Sequence, residues 1–180
     1  MTEIISDKEL IYYFAYGSNL HPLRIRERVP SAELFGSANV SGFRLAFNKI
    51  GIDGSSKCNL EKTNNSDAIV HGAIYKIKVE HKPLIDEYES LNRGYVDRTI
   101  NVEFCDVTLN CFTYIAQQEY IDDALKPFHW YKRLVTMGAN YLQFPQKYIE
   151  LIETVESIAD ENANRRKQHE RLIEQMEKLL

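Results

Sequence analysis

The sequence predicts an α+β fold: a mixed, mainly antiparallel β-barrel with flanking helices and a helical C-terminal tail. Strand-like runs come first and follow one another without the strict βαβα alternation of a doubly wound sheet. Two β-rich runs, Tyr95 to Phe104 and Leu109 to Ala116, lie close enough for Cys105-Asp106-Val107-Thr108 to join them as a hairpin. Helical periodicity is concentrated after Pro145. At 180 residues the chain fits one principal domain, read as residues 1–160, with 161–180 as a helical extension.

Residues 1 to 9 form a polar leader. Leu10-Ile11-Tyr12-Tyr13-Phe14-Ala15-Tyr16 is a short continuous apolar run, as in a strand buried on both faces. The turn cluster Gly17-Ser18-Asn19 ends it. Pro22 then opens a short helix through Arg28, and Pro30 closes it. Val40 to Phe47 is strand-like but broken by Gly42, and Ile50 to Asn65 reads mostly as loop with a short strand near Cys58. Ala68 to Ile77 reads as a strand. Glu80 to Ser90 reads as a helix, with Pro83 in its first turn and Leu84, Ile85, Tyr88 and Leu91 at helical spacing. Trp130 to Asn140 is helical up to Gly138. Beyond Pro145, Tyr148, Ile152, Val155 and Ala159 form one apolar stripe, and Leu172, Ile173, Met176 and Leu179 form another. A break is expected at Asn162 to Asn164, where helix propensity is weak.

Composition removes several classes of function. Lys plus Arg is 22 against 26 Asp plus Glu, a net charge of −4, which argues against a general nucleic-acid binder. The longest apolar run is far short of the roughly 20 residues that cross a bilayer. The acidic N-terminus is unlike a signal peptide, and three cysteines fit reduced thiols, so the expected location is cytoplasmic. No Cys or His pair has zinc-ligand spacing, so no metal is expected.

The turn Tyr16-Gly17-Ser18-Asn19 is the first candidate site. Glycine permits close approach of backbone to a ligand, and free N–H groups at a helix start attract a carboxylate or an oxyanion. By spacing alone, an ordinary strand-to-helix turn capped by Ser18 or Asn19 is the better account. Glu89 is the second candidate. It follows Ile85 by four residues, so it shares a helix face with a core position. A carboxylic acid against apolar surface suits general acid–base work. Asp86 is an alternative, and by residue type alone Asp86, Glu87 and Glu89 are as well read as solvated acids. Cys105 and Cys111 flank the hairpin with His129 downstream, but no local motif pairs a thiol with a base, and both read as sheet residues. Most of the 11 tyrosines are expected to fill the core, and Tyr114 and Tyr131 are candidates for a pocket wall.

Taken in order, three stretches resemble the gamma-glutamylcyclotransferase family across residues 10 to 155. Phe14-Ala15-Tyr16-Gly17-Ser18-Asn19-Leu20 is similar to its YGSN substrate loop, with Arg28-Val29-Pro30-Ser31-Ala32 after the short helix. Ile85-Asp86-Glu87-Tyr88-Glu89 with Gly94-Tyr95 is similar to the segment whose last acid is catalytic. Tyr131-Lys132-Arg133 through Met137-Gly138-Ala139 is similar to the stretch before the last family helix. Several motifs in sequence outweigh the plainer readings of Gly17 to Asn19 and of Glu89. Ser90 departs from the family, which usually has glycine there.

The resemblance implies a gamma-glutamyl cyclotransferase. The α-amine of a γ-glutamyl group attacks its own side-chain amide and releases 5-oxoproline and a free amino acid, without cofactor or metal. It makes Glu89 the catalytic acid/base and Tyr16, Gly17, Ser18, Asn19, Leu20, Tyr95, Tyr114 and Tyr131 the substrate-binding set. The alternatives are cyclisation of a γ-glutamylamine, or a binding module on the same fold. Arg93, Arg98 and Lys132 are the cations considered for a leaving-group carboxylate. The partner expected is the small-molecule substrate; the tail is read first as packing on its own domain, with a second copy in a homodimer or another protein as the alternatives.

Overall fold

The computed structural model describes residues 9–179. Most of the N-terminal leader lies outside these residues. Seven strands and five α-helices are present among them: β1 (Leu10–Ala15), α1 (Pro22–Arg28), β2 (Glu33–Ser41), β3 (Phe43–Ile50), β4 (Ser56–Lys62), β5 (Ile69–Lys78), α2 (Lys82–Tyr88), β6 (Tyr95–Phe104), β7 (Val107–Ala116), α3 (His129–Tyr141), α4 (Gln146–Thr154) and α5 (Ala163–Glu177). This is the expected α+β architecture with a mainly antiparallel sheet.

Five strands form one sheet in the order β2-β5-β1-β7-β6, and β3 and β4 form a separate two-stranded ribbon. The only parallel pair in the sheet is β1 with β7, where Tyr12 faces Cys111 and Tyr13 faces Phe112. The central place of β1 explains its apolar run, and Tyr13, Phe14 and Ala15 are buried. The sheet curls until its edge strands approach. Phe35 on β2 and Phe104 on β6 lie with ring centroids 5.0 Å apart. A Cβ on Gly36 would stand 2.4 Å from the Phe104 ring, so a side chain there would have to displace the ring. The barrel-like curl is thus held at this seam by aromatic packing.

Local chemistry accounts for most boundaries. Cys105 and Asp106 both have positive φ, 47° and 63°, which matches the twist of a tight hairpin and lets the strand resume at Val107. Gly42, at φ 77°, separates β2 from β3. The short strand expected near Cys58 is β4, which runs longer than expected, over Ser56–Lys62. Its polar Asn59 points inward but is satisfied, accepting from Ala116 N at 3.0 Å and donating to Asn48 Oδ1 at 3.2 Å. Helix α2 is shorter than expected, with a turn of 3₁₀ helix at Val79–His81 before it.

Two expectations about the C-terminal third need correction. Helix α3 continues past Gly138, because this glycine is a contact and not a stop: a Cβ there would lie 2.4 Å from Leu20 Cβ. The helical break begins at Val155, well before Asn162. Residues 155–162 are held elsewhere, with Ile158 N donating to Pro127 O at 2.9 Å and His129 N to Ile158 O at 2.9 Å. Lys132 Nζ donates to Glu153 O and Val155 O, covering the end of α4. Asn162 then caps α5 by accepting from Arg165 N.

Helix α5 packs on its own chain. His169 stacks on Trp130 with centroids 3.7 Å apart, and Leu172, Ile173 and Met176 are buried, while Leu179 is exposed. Asp160 anchors this packing. Its carboxylate accepts from Trp130 Nε1 at 2.8 Å and from Arg165 Nε and Nη2, both at 2.6 Å. Among the described residues no helix is long and apolar enough to cross a membrane, and no cluster of His, Cys, Asp and Glu fits a metal ion.

Candidate active site

The chain reverses at Gly17–Leu20, where Leu20 N donates to Gly17 O at 3.1 Å. The turn comes directly off the buried end of β1, so the core fixes its position. Gly17 has no room for a side chain, since a Cβ would stand 2.9 Å from Cys58 Cβ. The cap of α1 is His21, and not Ser18 or Asn19: its Nδ1 accepts from Leu23 N at 3.1 Å. Pro22 has no N–H to offer. The first turn of α1 therefore has little to give a ligand.

Glu89 sits just past α2, at its C-cap. Ser90 N bonds Glu87 O at 3.0 Å and Leu91 N bonds Asp86 O at 2.9 Å, the double closure of a Schellman motif. Ser90 takes the left-handed position at φ 52°. That is the physical reason a glycine suits this position. The motif holds Glu89 rigidly, facing the turn after β1.

The two sequence candidates meet. Asn19 Nδ2 donates to Glu89 Oε1 at 2.8 Å. Arg28 Nη1 donates to Asn19 Oδ1 at 2.9 Å and reaches Glu89 Oε1 at 3.4 Å. The Arg28 guanidinium lies over the Tyr88 ring, 5.0 Å from its centroid. Glu89 and Arg28 side chains are only 16% and 14% exposed, so solvent screens the pair weakly.

These groups border a small cavity walled largely by tyrosine. Tyr16, Gly17, Ser18, Asn19, Tyr95, Tyr114 and Tyr131 of the expected set line it with Glu89. Leu20 does not. It lies fully buried behind the turn, and its carbonyl accepts from Tyr75 OH at 2.7 Å. Asp86 is also outside the wall. It accepts from Lys82 Nζ at 2.7 Å and from Tyr114 OH at 2.6 Å, so it orients Tyr114. Glu87 is exposed. Cys105 is exposed at the hairpin, Cys111 is buried, and His129 bonds Ser157, so no thiol–imidazole pair exists among them.

The tyrosine hydroxyls are ordered by the backbone. Tyr16 OH donates to Tyr114 O at 2.5 Å, and Tyr95 OH donates to Cys58 O. Tyr131 OH accepts from Cys58 N at 2.9 Å, and Tyr13 OH accepts from Asn19 Nδ2 at 3.3 Å. Burial pushes all four hydroxyls well up from their ordinary values, so they stay protonated. Burial also pushes the Cys58 thiol up to about 12, which makes it a wall and not a nucleophile.

Sequence reasoning missed Tyr13, Cys58 and the role of Arg28. Tyr13 sits in the apolar run, where core and cavity read alike. Arg28 follows Arg24 by four residues on α1, a spacing that marked one face without naming what it meets. Of the cations expected near the leaving group, Lys132 caps α4 and Arg98 bonds its neighbour's carbonyl.

A family model described as AIG2-like matches residues 69–152. The human gamma-glutamylcyclotransferase is 29% identical over 161 residues, 83% of this chain and 81% of that protein. The mouse gamma-glutamylcyclotransferase is 28% identical over 155 residues, 82% of this chain and 80% of that protein. A solved gamma-glutamyl cyclotransferase structure superposes with a TM-score of 0.79 at 25% identity, over 93% of this chain and 99% of that one. The chain is thus similar to gamma-glutamylcyclotransferases over most of its length and has the fold of a solved member.

Proposed function

We propose that this protein is a gamma-glutamyl cyclotransferase in which Glu89 is the general acid/base. The observation that carries the reading is the placement of one carboxylate, bonded to Asn19 at 2.8 Å, at the rim of a tyrosine-walled cavity beside a glycine turn. The γ-glutamyl group fills the cavity. Its α-amine is protonated in solution, and Glu89 takes its proton. The amine nitrogen attacks the γ-carbonyl carbon and a C–N bond forms. The carbonyl oxygen becomes an oxyanion. The backbone N–H groups of Gly17, Ser18 and Asn19, and the Tyr131 hydroxyl, which keeps its own proton to donate, are the candidate donors for it or for the α-carboxylate. Glu89 then gives that proton to the leaving nitrogen and takes the second proton from the new ring nitrogen; the oxyanion returns to a carbonyl, the old C–N bond breaks, and 5-oxoproline and the amine component depart, the second proton leaving on the freed amine. Folding the substrate so that amine meets carbonyl is positioning work for the rigid tyrosine walls.

The test is 5-oxoproline release from a panel of γ-glutamyl amino acids, γ-glutamylamines and glutathione, with Glu89→Gln alongside. Turnover by the wild type, lost by about 10²-fold or more in the variant, is expected. A wild type silent on the whole panel, or a fully active Glu89→Gln, overturns the reading.

A further inference from the structure

A second, larger and more open chamber adjoins the cavity, and the two share Ser18, Glu89, Tyr95 and Tyr131. If the inner cavity takes the γ-glutamyl part, the amide lies at Glu89 and the leaving group lies in the outer chamber. Four cations line that chamber: Arg24, Arg28, Lys49 and Lys57. Two are already matched. Arg28 faces Glu89, and Lys57 Nζ bonds both Asp53 oxygens, at 3.0 and 2.8 Å.

The other two are poorly matched. The Arg24 side chain is 10% exposed, its Nε has no hydrogen-bond partner, and its one carboxylate, Glu27, stands 3.7 Å away on the surface. Lys49 is 5% exposed and rests its ammonium over the Tyr95 ring at 4.6 Å, with no ion pair among the described residues. Buried cations so weakly paired are costly, and an anion entering the chamber offsets that cost.

We propose that Arg24 and Lys49 form the leaving-group subsite and select γ-glutamyl compounds whose leaving part is an acidic amino acid carrying two carboxylates. This rests on the cyclotransferase reading above. Burial pulls both cations below their ordinary values, in keeping with charges held ready for a ligand.

Three substrates separate the cases: γ-glutamyl-glutamate, γ-glutamyl-alanine and a γ-glutamyl-alkylamine, with two, one and no leaving-group carboxylates. Wild-type kcat/KM should fall about tenfold for each carboxylate removed, mainly through KM. Lys49→Gln and Arg24→Gln should erase most of that ranking while leaving the alkylamine almost unchanged. A merely structural role would move all three substrates together. Where Arg24→Gln does not fold, Lys49→Gln alone decides. Turnover with no preference for γ-glutamyl-glutamate overturns the subsite and leaves the cyclotransferase reading intact. If the wild type turns over none of the three, calorimetric binding of the same compounds decides the subsite: the same ranking, lost in Lys49→Gln, supports it, and equal or absent binding overturns it.

Discussion

The Asn19 carboxamide donates to Glu89 Oε1 at 2.8 Å, and Arg28 determines which way it points. Arg28 Nη1 donates to Asn19 Oδ1 at 2.9 Å, so the amide nitrogen must face the carboxylate. The three residues come from the turn after β1, from the last turn of α1 and from the C-cap of α2. One hydrogen bond thus ties the loop that borders the cavity to the acid that would work in it.

Breaking that relationship should cost activity without unfolding the protein. Asn19→Ala and Arg28→Gln are each expected to lower 5-oxoproline release by about 10²-fold, the scale of a mispositioned catalytic group. Thermal unfolding should move little by comparison. Steady-state kinetics and a melting curve on the same preparations check this. An Asn19→Ala enzyme with full kcat would show that Glu89 needs no orienting partner.

Ser90 holds a left-handed conformation at φ 52° in the Schellman closure that positions Glu89. A serine bears a steric cost there that glycine does not. Ser90→Gly is expected to raise stability by about 1 kcal/mol and leave kcat near the wild-type value. Urea unfolding measures the first and turnover the second. A destabilised Ser90→Gly would mean that the serine makes a contribution beyond its backbone.

Asp160 fastens α5 to the domain. The Arg165 guanidinium beside it, together with Trp130 Nε1–H, holds its carboxyl well below the usual carboxylate range. Its stabilising contribution is therefore complete above about pH 4, the ordinary aspartate value, and fades as pH falls below that. Asp160→Asn should cost on the order of 2–3 kcal/mol at neutral pH and speed amide exchange across α5 first. Uniform exchange across the chain in that variant would count against the anchor.

Two histidines set a separate pH window. Burial brings His21 and His169 each down to about 4, so both are neutral in the folded protein. The unfolded chain takes up their protons near pH 6.5, and stability should decline as pH falls from 6.5 toward 4. His169→Phe keeps a ring to stack on Trp130 and should flatten part of that decline. Chemical denaturation at stepped pH shows whether it does.

Much of the site is legible in the order of residues alone. The apolar run of β1 marks a buried strand because a central strand is covered on both faces, and the glycine turn follows from it. The spacing of Glu89 from Ile85 makes it a candidate, and only the resemblance carried by the order of the motifs singles it out. What the residue types leave open is which of three acids meets the turn. The Schellman closure at Ser90 and the bonds that occupy Asp86 decide it, and neither has a local spacing signature. Arg24 and Lys49 are hidden for a similar reason. Each looks like any surface cation until the packing of α1 and β3 buries it.

The C-terminal region divides the same way. Weak helix propensity near Asn162 marks a break, and the capping asparagine agrees with it. The earlier start of the break at Val155 comes from long-range bonds to Pro127, His129 and Lys132. The order of elements, the glycine turn and the acid's place on its helix are local properties, carried by the chain's own periodicity and turn chemistry. The union of turn, acid and arginine, and the two poorly matched cations beyond them, arise only where segments remote in sequence are packed together.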